Sequence, residues 1–274
     1  MVTARSSLIA LALTTVALNF ITSADALGST RVFLSAATGN DANPGCTSTA
    51  PCRTLPHGLA ESTAGGQIIL MDSGGYGGGT SVTISFAVQI IAPDGVLASL
   101  TDNSTNYGGA ALITVNAGAT DLVLLRNLQI DGGTKVGTGI LHESGRLVVE
   151  RCLFTQLAVG VSAVNAKMDI INSTFAGNAV AVNANGSGTE PDGSITASVA
   201  QVRIAYGSVI GNDVGLQMTN PGNNLANIFV MISSNSGANW ATDVVGNTTA
   251  TTGSGTGCTS GCSVGSYYGS GGLN

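Results

Sequence analysis

Between Leu124 and Leu216 the chain repeats itself, and that repeat limits the possible folds more than any other feature. Leu147-Val-Val-Glu-Arg-Cys-Leu-Phe154 superposes on Met168-Asp-Ile-Ile-Asn-Ser-Thr-Phe175 at an offset of 21 residues, and Val159-Gly-Val161 superposes on Val180-Ala-Val182 at the same offset. Phe175-Ala-Gly-Asn178 matches Val209-Ile-Gly-Asn212 at an offset of 34, as Val180-Ala-Val182 matches Val214-Gly-Leu216. The 13 extra residues fall around Asn185 to Ala197, a Gly/Ser/Pro-rich stretch that reads as a loop inserted into one unit. Upstream, Leu124 to Ile130 matches Val148 to Phe154 at an offset of 24; downstream, Asn227 to Ile232 reads as a further turn.

Within each unit, Val, Ile and Leu alternate with other residues in short runs separated by Gly, Asn and Ser. Period-2 alternation specifies strands, and helical spacing is absent. The unit lacks the Leu-x-x-Leu-x-Leu pattern of leucine-rich repeats and the Gly-Gly-x-Gly-x-Asp run of calcium-filled rolls. The expected fold is all-β: a parallel β-solenoid of about 21-residue coils with three short strands each, every coil burying its face against its neighbours. Asn127 and Asn172 occupy matched places after an apolar run, with Arg151 between them. Asn tolerates the left-handed conformation of a tight corner, so these positions predict a corner with a stacked Asn side-chain ladder. A stack also exposes edges at its ends. Thr54 to Glu61 predicts a short helix over the first coil, capped by Thr54 and with Pro56 in its first turn.

Composition narrows the class. Only 9% of residues are charged, 43% are hydrophobic, and the formal net charge is −6. Disorder needs the opposite balance. Six prolines without a Gly-X-Y period exclude collagen. A pI near 4.6 without a basic run argues against nucleic acid as a partner.

At the start, Arg5 precedes an apolar stretch from Leu8 to Ile21, followed by Ala24-Asp25-Ala26. The stretch is shorter than the ~20 residues of a spanning helix. It predicts a signal peptide over residues 1–26, a domain over 27–246, a Gly/Ser/Thr-rich tail or cover over 247–274, and a secreted protein, extracellular or periplasmic. No later segment is long and apolar enough to span a membrane. In an oxidising compartment the local pairs Cys46/Cys52 and Cys258/Cys262 are each candidates for a small-loop disulfide. Cys152 lies in a strand-like run and reads as a buried small hydrophobe. The only histidines are His57 and His142, no Cys/His set has zinc spacing, and no metal site is expected.

Arg31-Val-Phe-Leu-Ser-Ala-Ala-Thr-Gly-Asn-Asp-Ala-Asn-Pro-Gly45, then Ala50-Pro-Cys-Arg-Thr-Leu55, resembles the entry motif of secreted bacterial right-handed parallel β-helix proteins of the pectate-lyase-like fold. Gly65 to Asp72 resembles the first coil strand that follows, and the resemblance extends over roughly Arg31 to Gly246. It implies a right-handed parallel β-helix with a short N-terminal capping helix. It does not imply an activity, because lyases, epimerases and glycosidases share the motif. Asp41, Asn43 and Pro44 read as shapers of the entry loop.

Many lyases of this fold, as the resemblance implies, hold calcium with carboxylates on one outer sheet and use a Lys or Arg base. The corresponding strands contain Ile140, Val161, Val182 and Leu216; if these point inward, Leu141, Ser162, Asn183 and Gln217 point outward. That row is uncharged and suits hydrogen bonding to sugar hydroxyls, so it is the candidate ligand-binding row. The flanking loops hold Asp131 and Lys135 before one strand, and His142, Glu143 and Arg146 after it; Glu190 and Asp192 lie in the inserted loop. A glycosidase needs two carboxyls about 5–10 Å apart. The candidate catalytic set is therefore Asp131, His142, Glu143, Glu190 and Asp192. Lys167 reads as a solvated corner, while Trp240 and Tyr267/Tyr268 are candidate sugar-stacking rings. The expected function is glycan or surface binding without strong catalytic machinery and without a cofactor, although calcium stays open without a clear site of its own. The alternative is a polysaccharide lyase or glycoside hydrolase. An adhesin-like structural role is a third class.

Overall fold

The computed structural model describes residues 30–101, 111–164, 166–185 and 200–219, together with the backbone of strands at 229–233, 244–245 and 249–251. These residues form three parallel sheets. The first contains Arg31–Leu34, Gly66–Leu70, Val88–Ile91, Leu122–Arg126, Arg146–Glu150, Lys167–Ile171, Gln201–Ala205 and Phe229–Ser233. The second contains Gly74–Gly75, Ala98–Thr101, Leu128–Asp131, Leu153–Thr155, Thr174–Ala176, Ser208–Ile210 and Val244–Val245. The third contains Val82–Ile84, Ala111–Asn116, Thr138–Ser144, Val159–Val164, Val180–Asn185, Val214–Thr219 and Thr249–Thr251. From Gly66 onward the chain visits the three sheets in turn, so each strand pairs with the strand three places further on.

The repeat offsets are the pairing registers. Leu147 pairs with Met168, Phe154 with Phe175 and Val161 with Val182, all at 21 residues. Phe175 pairs with Val209 and Val182 with Leu216 at 34; Leu124 pairs with Val148 at 24. The differences in coil length are absorbed between strands, because a one-residue slip would turn every apolar side chain outward.

Inward residues stack into columns. In the first sheet the column runs Val32, Ile68, Ile90, Leu125, Val149, Ile170 and Ile204, each at most 1% exposed. In the second it runs Leu100, Ile130, Phe154, Phe175 and Val209, with the two Phe rings stacked at a centroid distance of 4.5 Å. Burying one such side chain contributes about 1.5–3 kcal/mol.

The corner between the first and second sheets is left-handed, as the asparagines predict. Asn127, Arg151, Asn172 and Tyr206 have φ of 61°, 54°, 51° and 57°. The expected Asn ladder is not at this corner. With Arg151 and Tyr206 in the same column, the amides cannot stack continuously, and Asn127 Nδ2 instead donates to the carbonyls of Ala92, Pro93 and Val96. An amide ladder exists at the next corner. Asn178 Nδ2 donates to Asn212 Oδ1 (2.8 Å) and to the Phe154 carbonyl, Asn178 Oδ1 accepts from Leu157 N–H, and Asn212 Nδ2 donates to the Phe175 carbonyl. Both asparagines are buried.

The entry loop forms as its residues suggest. Asp41 accepts hydrogen bonds from Arg53 N–H, Thr54 N–H and Thr54 Oγ1, and Asn43 Nδ2 donates to the Pro51 carbonyl. Burial alone would raise the Asp41 pKa, but these bonds outweigh it and hold the carboxyl below its ordinary value. Helix α1 (Leu55–Glu61) follows, with the Thr54 hydroxyl accepting from His57 N–H at its start. The helix packs on the Arg31–Leu34 strand, where a Cβ at Gly58 would lie 2.9 Å from Leu34 Cδ2. Cys46 and Cys52 form a disulfide. Cys52 N–H donates to the Phe33 carbonyl and Ser35 N–H to the Cys52 carbonyl, so the loop covers the outer edge of that first strand. Behind it, Tyr76 Oη donates to Asp72, whose carboxylate also takes Ser35 Oγ and the Ala36 and Ala37 N–H groups. Residues 1–26, the Cys258/Cys262 pair and most of the C-terminal tail lie outside the described residues; Thr249–Thr251 pairs with the last long strand of the third sheet.

Candidate functional site

The outward row of the third sheet is a single register line. Leu141 pairs with Ser162, Ser162 with Asn183, and Asn183 with Gln217. The line extends further than the repeat indicated: Thr114 pairs with Leu141, and Thr83 with Thr114. From Thr83 to Gln217 the sequence steps are 31, 27, 21, 21 and 34 residues, so self-similarity at a fixed offset misses the two threonines. The available signal was local: Val82-Thr-Ile84 and Ile113-Thr-Val115 alternate as Val161-Ser-Ala163 does. With strands about 4.8 Å apart, six positions span about 24 Å.

Thr83 is exposed, Thr114, Leu141, Asn183 and Gln217 are half-buried, and Ser162 is 9% exposed. Asn183 Nδ2 reaches Ser162 Oγ at 3.4 Å. Five of the six side chains carry hydroxyl or amide groups and none carries a charge, so the line holds both hydrogen-bond donors and acceptors.

Of the candidate catalytic residues, Asp131, His142 and Glu143 lie among the described residues, and each has a different local setting. Asp131 ends a strand of the second sheet, and its Oδ1 accepts from Gly133 N–H at 2.9 Å in a local turn. Lys135 Nζ pairs with Asp213 Oδ1 at 2.7 Å. His142 is a correction to the sequence reading. It does not sit in a flanking loop but inside Thr138–Ser144, pairing with Val115 on one side and Ala163 on the other, and it is fully buried. Period-2 alternation from Ile140 would have placed it inward; its polar identity hid that. Neither ring nitrogen has a hydrogen-bond partner. Burial pushes its pKa down to about 4, and the nearby Ser144 and Gly145 backbone, outside hydrogen-bonding geometry, offsets this only in part. A neutral, enclosed imidazole cannot reach a substrate proton.

Glu143 has the opposite placement. The register shifts between His142 and Ser144, so Glu143 is the extra residue of a β-bulge and is exposed. Bulges re-aim side chains at sheet rims. Glu190 and Asp192, its candidate partners, lie outside the described residues, as do Trp240, Tyr267 and Tyr268. Lys167 opens its strand and is exposed, as read from sequence. Cys152 is free and buried; burial pushes its thiol up to about 12, which disqualifies it as a nucleophile at neutral pH. No helix among the described residues is long and apolar enough to cross a membrane.

No family model, no curated protein and no solved structure matches this chain.

Proposed function

We propose that this is a secreted right-handed parallel β-helix, with α1 and the entry loop capping its N-terminal end, that binds a neutral extracellular glycan or a glycan-bearing surface along the outer face of its third sheet. The observation carrying this reading is the uncharged register line from Thr83 to Gln217. A linear sugar chain offers hydroxyls at regular intervals, and a strip about 24 Å long meets several sugar units at once. A net charge of −6 disfavours polyanionic glycans in the absence of a bridging cation, so neutral polymers are the expected ligands. The binding itself uses no cofactor.

The test is affinity electrophoresis and calorimetry of the secreted chain against neutral and acidic polysaccharides, with and without calcium. Neutral polymers should bind, and Asn183→Ala with Gln217→Ala should weaken that binding roughly tenfold, the loss of about 1.4 kcal/mol expected from two hydrogen bonds. No binding to any polymer, or binding indifferent to both substitutions, refutes the reading. The bulged, outward-facing Glu143 supports a second reading, a polysaccharide lyase or glycoside hydrolase. Shortening of any polymer in the same incubations, abolished by Glu143→Gln, would establish that reading instead.

A further inference from the structure

The disulfide at the entry of the stack has a third member. His57 lies in the first turn of α1, and one of its ring nitrogens and both sulfurs of Cys46 and Cys52 fall within 4.8 Å of one another. Five residues separate His57 from Cys52 in the sequence, and the cysteines themselves lie six apart. The Thr54 cap and the Asp41 hydrogen bonds turn the chain back so that the imidazole meets the sulfurs.

We propose that, once the disulfide is reduced, Cys46, Cys52 and His57 form a binding site for a soft or borderline metal ion, Zn(II) in the first instance, so that the same two sulfurs alternate between a disulfide and a metal thiolate. Zn–S bonds of about 2.3 Å and Zn–N bonds of about 2.0–2.1 Å place tetrahedral ligands about 3.5–3.8 Å apart; the three ligand atoms fall within 4.8 Å of one another, with the two sulfurs bonded to each other. Parting the sulfurs is the main adjustment needed. Thiolate and imidazole are the ligands such ions prefer. Both cysteines are buried while His57 is half-buried, so the histidine side is the more open one. Two carboxylates favour a cation nearby: Asp41 interacts electrostatically with His57, and Glu61 accepts from the N–H of Gly45, next to Cys46. Asp41 is already occupied by three donors and is not counted as a ligand.

The chemistry balances. A dithiol reductant gives two electrons and two protons to the disulfide and itself becomes a disulfide, leaving two Cys thiols. Binding of the divalent ion to both sulfurs then releases those two protons to solvent. Oxidation and metal loading exclude each other.

The experiment uses the secreted chain carrying Cys258→Ser and Cys262→Ser, so that the C-terminal pair supplies no thiol. Half of the sample is reduced with a phosphine, which leaves as its oxide, and both halves are titrated anaerobically with Co(II) and then Zn(II). The reduced protein should bind one equivalent of Co(II) with a sulfur-to-cobalt charge-transfer band, and Zn(II) should displace it. The oxidised protein should show no such band. His57→Gln and His57→Ala should each weaken Zn(II) binding at least about tenfold, and the ring ¹⁵N resonances of His57 should shift when Zn(II) is added to the unsubstituted reduced protein. Absence of the band after reduction overturns the proposal. So do an equal band in the oxidised protein, or Zn(II) binding that leaves the His57 resonances unmoved.

Discussion

Asn178 and Asn183 lie five residues apart in one coil, and they do opposite work. Asn178 is buried at a corner, where its amide satisfies two backbone groups and joins Asn212. Asn183 stands half-exposed on the outer face of the third sheet, in a line of hydroxyls and amides. His142 supplies a third case: a polar side chain inside the stack with no partner for either nitrogen. A polar residue in this fold is defined by its place in the coil. At a corner it replaces missing backbone pairing. On an outer face it joins its neighbours in the register line, as Asn183 Nδ2 reaches Ser162 Oγ. In an inward column it is a liability.

The corner amide should matter most. Asn178→Ala leaves Leu157 N–H and the Phe154 carbonyl unpaired in the interior and should lower unfolding free energy by about 4 kcal/mol, read by urea denaturation. A loss below about 1 kcal/mol would mean that water replaces the amide and that corner and face differ little.

His142 comes next. Its folded pKa of about 4 lies below the ordinary 6.5, so the unfolded chain binds the additional proton. Its contribution is therefore intact above pH 6.5, declines as pH falls below that value, and levels off under about pH 4, a total of about 3 kcal/mol. Asp41 and Asp72, both held below 3.8, add their own loss mainly under about pH 4, which separates the two windows. Stability measured across this range should show the upper loss in the parent and not in His142→Leu.

At pH 7 the same His142→Leu should raise stability by about 1–2 kcal/mol, because it removes two unpartnered nitrogens from the core. A decrease instead would indicate that the imidazole fills a shape leucine cannot. The smallest effect belongs to the outer face. Asn183→Ala should change stability by less than about 0.5 kcal/mol, so any loss of glycan binding it causes reports on the face itself.

How far these places could be read from sequence follows the same division. Strand registers were legible because Leu147/Met168 and Phe175/Val209 repeat type as well as spacing. The left-handed corner was legible from Asn127 and Asn172, since few residues adopt that backbone readily. The ladder was assigned to the wrong corner because matched asparagines mark a backbone conformation, and only the neighbours decide whether their amides meet. Ser162, Asn183 and Gln217 followed from alternation, whereas Thr83 and Thr114 escaped because early coils vary in length. The approach of His57 to the disulfide was not legible: it depends on a turn held by Asp41 and Thr54, which no spacing rule encodes.

The coil-on-coil pairing has a mechanical consequence. In all three sheets the hydrogen bonds point from one coil to the next, along the direction of stacking. A pull applied between the two ends of the stack therefore opens one rung while the others stay closed, as a zip fastener does. A pull across the strands must shear many bonds at once. Tethered by its ends, such a molecule would lengthen in steps of one coil, each release ending where the next intact rung takes up the load.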